Sequence, residues 1–243
     1  MPTRHNLLKH DASFFSDETT VLIGLDEVGR GALAGPVMTG AVWIDKAFLS
    51  RYKNDLEVLQ IQDSKKLSEK ERNAAFSTLQ KWAEEGHLHF TITKGSVEEI
   101  DHTNILKATQ LAFERALAQT QLALKLTNAS TFFKEVTTTK PNVRVLIDGN
   151  PLKHFKYVHT NIIRGDQKSF CIAAASIVAK VTRDQLMRDL HTRYPVYNFD
   201  QNKGYGTQQH RDAIAHYGLC PLHRKTFCHT STDTQMDLNL SQA

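Results

Sequence analysis

Asp26 and Glu27 end one apolar run, VLIGLD, and Asp148 ends another, VRVLID. Short apolar segments rich in β-branched residues read as buried strands. In open α/β sheets, ligands collect outside the carboxyl ends of the strands, so these three carboxylates are candidates for one site. Carboxylates gathered without partners repel and raise one another's pKa, a penalty that a divalent cation removes. Hard oxygen donors with no His or Cys beside them select Mg²⁺ or Mn²⁺ rather than zinc. Taken singly, each acid is as readily a turn or cap residue. Neighbouring Asp and Glu on an extended strand point to opposite faces, so a shared site requires a turn there, for which Gly29 and Gly31 are suited. Asp166, in RGDQKS just ahead of a helical segment, reads from position alone equally well as an N-cap.

The elements that must hold these residues follow from periodicity. PVMTGAVWI at 36–44 reads as the antiparallel neighbour of the first strand. Ser68 with Glu71 forms a capping box, so a helix begins there, carries Phe76, Leu79 and Trp82 on one face and stops at Gly86. His87–Lys94 alternates as a half-buried strand. Residues 105–126 have a long helical pattern, and a Thr-rich stretch ending at Lys140-Pro141 reads as an exposed loop. Residues 155–163 read as an edge strand. Residues 169–194 read as a helix whose small residues Ala173, Ala174, Ala175 and Ser176 permit close packing on a sheet, and 207–217 as one more helix. Strands first, then alternation with helices, indicates α/β with a mixed sheet.

The chain has 243 residues, 40% of them hydrophobic and 23% charged, an ordinary globular composition. No apolar run approaches the roughly 18 residues of a membrane span, and the charged start MPTRHNLLKH is unlike a secretory signal. Three cysteines cannot all pair. A cytoplasmic protein without membrane attachment is expected. Residues 140–230 hold 14 Lys and Arg against 6 Asp and Glu, the remainder 16 against 20; this basic half suggests a polyanionic partner, nucleic acid first. Cys220, His223, Cys228 and His229 have a zinc-like look, but adjacent Cys-His ligands rarely close one tetrahedral site. Cys171 reads as packed core.

GLDEVGRGALAGPV at 24–37, DSKKLS at 63–68, LIDGN at 146–150, GDQKSFCIAAASIVAKVTRD at 165–184, NKGYGTQQHRDAI at 202–214 and PLHRKTF at 221–227 stand in the order of the signature blocks of ribonuclease HII. The chain resembles that family over most of residues 21–227. The resemblance implies a ribonuclease H-like mixed sheet flanked by helices, with a small helical C-terminal region. The expected organisation is an arm at 1–20, a catalytic core at 21–195, a helical region at 196–230 completing the substrate site, and a tail at 231–243.

It further implies that Asp26, Glu27, Asp148 and Asp166 hold two Mn²⁺ or Mg²⁺ ions for phosphodiester hydrolysis, leaving 5′-phosphate and 3′-hydroxyl ends. Asp166 is thereby assigned to the site, with capping as a second duty. The substrates implied are RNA–DNA hybrids and duplex DNA containing single ribonucleotides, cut 5′ to the ribonucleotide, and the implied role is removal of misincorporated ribonucleotides. Gly29, Arg30 and Gly31 match the loop that reads the 2′-hydroxyl through its backbone, and Tyr205 the residue that stacks on the neighbouring sugar. Lys65, Lys66, Lys168, Arg183 and Lys203 fall in the matching blocks as phosphate binders, or equally as solvated or ion-paired surface charges. A non-catalytic nucleic-acid adaptor on the same fold is the alternative; loss of one of the four acids would be its mark, and all are present. The related ribonuclease HIII carries an extra N-terminal domain, for which 20 residues before the first strand leave no room. A monomer is expected. QMDLNL at 235–240 resembles peptides that dock on the bacterial sliding clamp, with Met236 in place of the first Leu; a frayed tail without a partner is the alternative.

Overall fold

The computed structural model describes residues 6–17, 19–126 and 143–228. Five strands form one mixed sheet: β1 (Val21–Val28), β2 (Val37–Asp45), β3 (His89–Gly95), β4 (Val143–Asp148) and β5 (Thr160–Ile162), in the order β3-β2-β1-β4-β5. β1 pairs antiparallel with β2 and parallel with β4; β2–β3 is antiparallel and β4–β5 parallel. The helices are α1 (Leu8–Asp11), α2 (Lys46–Tyr52), α3 (Glu69–Glu84), α4 (Val97–His102), α5 (Ile105–Leu126), α6 (Phe170–His191), α7 (Phe199–Asn202) and α8 (Gln208–Tyr217). Among the described residues no helix is long and apolar enough to cross a membrane.

Alternation sorts the central strands between two cores. Leu22 and Leu146 pack with α3 and α6, whereas Ile23, Leu25, Val145 and Ile147 pack with Phe113, Ala116 and Leu117 of α5. α6 lies close because Gly24 and Gly40 leave no Cβ where its Cys171 and Ala175 backbone passes, so the small-residue stripe works as expected. The capping box of Ser68 and Glu71 starts α3, and α5 runs from Ile105 to Leu126, matching the predicted helical span. In the N-terminal arm Leu7 and Leu8 are buried, and the carboxylate of Asp11 accepts the Cys171 N–H in the first turn of α6 at 2.8 Å.

Three expectations change. The edge strand predicted over 155–163 shrinks to β5, because the parallel register engages only Leu146–Asp148; Phe155 instead packs its ring against Tyr157 and His159. The cap of α6 is Ser169, whose hydroxyl accepts the Ile172 N–H at 3.3 Å, while Asp166 sits one turn earlier in a 3₁₀ segment, Gly165–Gln167. Asp166 is therefore free of capping. Finally, no turn brings Asp26 and Glu27 together, since β1 stays extended through Val28 and bends only at Gly29. The Thr-rich loop, His229 and residues 235–240 lie outside the described residues.

Candidate active site

The parallel pairing of β1 with β4 ends at Leu25 opposite Ile147. The next residue on each strand is an Asp, and by alternation Asp26 and Asp148 both face α6. Glu27 is still paired with Thr39 of β2 but lies beyond the β1–β4 ladder, and its carboxylate is felt by Asp26 and feels Asp148 without a turn. Asp26 is buried, and burial first, then Glu27 and Asp148, pushes its pKa well above the usual carboxylate range against the pull of Ser176. Burial also raises Glu27, with Arg30 pulling it back and Asp148 adding to the rise.

Asp166 joins them from the 3₁₀ turn. Its pKa too is raised, by burial, then by Asp63 and Asp148. The turn is anchored directly to the strand end, as the Gly165 N–H donates to the Asp148 carboxylate at 2.6 Å. The four acids expected at the site are thus linked electrostatically through Asp148, which acts on Asp26, Glu27 and Asp166. Like charges gathered without a counter-ion raise a neighbour's pKa in this way.

Fixed donors orient these groups. The Glu27 N–H donates to Asp26 at 2.8 Å, and Arg30 Nη1 lies 3.0 Å from Glu27 Oε1. Ser176, which bonds Asp26, is itself in contact with Ser64 at 2.8 Å. Lys65 Nζ stands 3.4 Å from Asp166 Oδ2. Burial works to lower the pKa of Lys65, but Asp166 and Asp26 outweigh it and hold the ammonium above its ordinary value.

Asp63 is the residue that pattern reading missed. Buried, it accepts the Lys65 N–H at 2.9 Å and the Gln167 amide at 3.1 Å, and so ties the Lys65 loop to the Asp166 turn. Its signal was its place inside the DSKKLS block, two residues before Lys65.

Among the expected substrate residues, Gly29 is buried with φ +91°, whereas Arg30 and Gly31 are exposed beside Glu27. Tyr205 is half-buried, with the Arg183 guanidinium 5.5 Å from its ring. Lys65, Lys66 and Lys168 are exposed, and Lys203 is half-buried with its ammonium on the Asp200 carbonyl. Arg183 cannot reach phosphate. It is fully buried and spends its donors on the carbonyls of Pro36 (3.0 Å), Lys203 (2.8 Å) and Ala34 (3.1 Å). The zinc-like cluster is otherwise engaged: His223 Nδ1 accepts the Cys220 N–H at 2.9 Å and its Nε2 faces His210 Nε2 at 3.1 Å.

Among the described residues no three His, Cys, Asp or Glu side chains form a ready-made metal cluster. Mg²⁺ and its relatives keep waters and use one or two carboxylates plus substrate phosphate rather than an all-protein cage. The donors are all hard carboxylate oxygens, and the raised pKa values of Asp26 and Asp166 mark charge still to be neutralised.

Solved structures share this architecture. The ribonuclease H2 of Pyrococcus horikoshii OT3 superposes with a TM-score of 0.61 at 22% identity, over 92% of this chain and 100% of that one. The ribonuclease HII of Archaeoglobus fulgidus, in a structure titled as its complex with PCNA, gives 0.62 at 20%, over 88% and 99%. The fold is therefore that of a ribonuclease H-type hydrolase.

Sequence narrows the class. The Ribonuclease HII family model matches residues 23–230, and a ribonuclease HII of Endomicrobium trichonymphae is 40% identical over 223 residues, 91% of this chain and 92% of the relative. The chain belongs to the ribonuclease HII family. It is an enzyme that hydrolyses the RNA strand of RNA–DNA hybrids and depends on divalent metal.

Proposed function

We propose that this enzyme also cuts duplex DNA 5′ to single embedded ribonucleotides, leaving 5′-phosphate and 3′-hydroxyl ends, and so removes misincorporated ribonucleotides in the cytoplasm. The observation that carries the reading is the turn that follows β1 just past the acid pair, in which Gly29 is buried and Arg30 and Gly31 are exposed. One ribose differs from its deoxy neighbours only by its 2′-hydroxyl, and a glycine turn lets backbone approach a sugar closely.

Asp26, Glu27, Asp148 and Asp166 would hold two ions. When bound, Mg²⁺ or Mn²⁺ supplies the positive charge that eases deprotonation of the attacking water and stabilises the departing 3′ oxygen. The protein groups perform the rest. Ser176 and the Glu27 N–H hold Asp26 in place, and Gly165 does the same for Asp148. Lys65 sets the Asp166 carboxylate and adds positive charge where a phosphate would lie. Tyr205 offers its ring to a neighbouring sugar, and Lys168 an exposed ammonium to the backbone. Residues 21–195 would form the catalytic core and 196–230 the part that completes the substrate site. The chain would act as a monomer.

The test is a labelled DNA duplex with one ribonucleotide, incubated with Mg²⁺, Mn²⁺ or chelator, beside an RNA–DNA hybrid. One metal-dependent cut 5′ to the ribonucleotide supports the reading; cleavage of the hybrid alone refutes it. The Archaeoglobus ribonuclease HII was solved in complex with PCNA, which supports a clamp contact here through residues 235–240. Deleting those residues should abolish binding to the clamp and leave cleavage of free duplex intact.

A further inference from the structure

Two arginines, Arg183 and Arg224, are fully buried, and neither forms a salt bridge among the described residues. An ionised group taken from water needs its donors met by other means. Arg224 meets them on one loop. Its Nη2 donates to the Gly29 carbonyl at 2.7 Å, Nη1 to the Arg30 carbonyl at 2.8 Å and Nε to the Gly35 carbonyl at 2.9 Å. Burial, then Arg183, pushes its pKa down to about 10, so it remains charged at neutral pH.

Those bonds fix more than the carbonyls. In a trans peptide the C=O and the following N–H point in opposite directions, and the described residues contain no cis bond. With the Gly29 and Arg30 carbonyls turned inward onto Arg224, the N–H groups of Arg30 and Gly31 must face outward. No protein group among the described residues accepts from either one. Both residues are exposed, and a Cβ on Gly31 would meet nothing within 4 Å. Two adjacent, outward, unpaired donors beside open space are suited to receive an oxygen.

We propose that Arg224 is a positioning residue for sugar recognition: its guanidinium fork orients the Arg30 and Gly31 N–H groups toward the ribose 2′-hydroxyl. This rests on the embedded-ribonucleotide reading above. Arg183 works on the other side of the same loop. It grips Ala34 and Pro36 as well as Lys203, and lies against the Tyr205 ring, so the turn and the ring are held in one frame. Lysine cannot replace Arg224, since a single ammonium lacks the planar fork that spans three carbonyls.

The experiment measures binding rather than turnover. In the full chain carrying Asp148→Asn, affinity is measured for a duplex with one ribonucleotide and for the all-deoxy duplex of the same sequence. Adding Arg224→Lys should lower the ribo-to-deoxy affinity ratio by about tenfold, with all-deoxy binding unchanged. An arginine that served only the fold would cost melting temperature and leave the ratio alone; a folded Arg224→Lys variant with an unchanged ratio overturns the proposal. No preference in the Asp148→Asn parent, together with no cut at a single ribonucleotide by the unmodified enzyme, would instead bring down the underlying reading. Should Arg224→Lys fail to fold, amide exchange in the Asp148→Asn protein decides. The Arg30 and Gly31 N–H groups should be slowed by the ribonucleotide duplex and not by the all-deoxy one. Equal exchange with both duplexes overturns the proposal.

Discussion

The molecule concentrates like charge in two places and treats them in opposite ways. At the ends of β1 and β4, burial and the neighbouring carboxylates raise the pKa of Asp26, Glu27 and Asp166 around Asp148, with Lys65 and Arg30 close by. Behind the Gly29 turn, Arg183 and Arg224 lie side by side in the interior, and each donates to three carbonyls. The acids leave their charge to be answered from outside, whereas the arginines are answered by the chain itself. A site open to a cation gains its last stabilisation on loading; a saturated one is rigid from the start. On the proposed function, chemistry sits in the first and recognition geometry in the second.

The sharpest way to break this contrast is Asp148→Asn, which keeps the shape and the Gly165 contact but removes the charge. Cleavage of an RNA–DNA hybrid should fall by about 10³-fold, roughly 4 kcal/mol, while the melting temperature without metal holds or rises, because a repulsive neighbour of Asp26 is gone. A fall in melting temperature would mean that the acids are not mutually strained. Arg183→Met should behave in the reverse way. It leaves the carbonyls of Ala34, Pro36 and Lys203 unmet in the interior, and denaturant unfolding should show a loss of about 3 kcal/mol. A neutral result would show that the arginine frame is dispensable.

Acid provides a smaller test. His223 is pushed down to about 4 by burial and then by His210, which itself is lowered by burial. The unfolded chain therefore takes up these protons first, and stability present above pH 6.5 should drain away as pH falls toward 4, by on the order of 2 kcal/mol. His223→Gln, read by thermal melts across that range, should flatten the slope. Smallest is Lys65→Ala, expected to slow hybrid cleavage by about tenfold with little change in melting temperature. A large stability loss there would place the lysine with the arginines.

The legible parts of the fold were those written in local spacing. Ser68-x-x-Glu71 and the apolar repeat of 105–126 act within a few residues, so the helices they predict are the helices found. Ser96-x-x-Glu99 carries the same capping box and starts α4, a signal equally present and not read. The acids at strand ends were legible because strands and their ends are local; Asp166 required the family blocks. Arg183 and Arg224 were beyond reach, since their partners lie 147 and 195 residues away, and an arginine in a polar stretch reads as surface. Asp63 was hidden for the same reason, as Gln167 is 104 residues on.

Arg224 also orders events in time. Domains form as the chain is synthesised from its N-terminus, and all four acids leave the ribosome before the arginine that shapes the sugar-reading turn. A nascent chain that stops short of Arg224 holds the acids beside a turn whose N–H groups have no fixed direction. The nuclease acquires its discrimination only once Arg224 has been made, after all four acids.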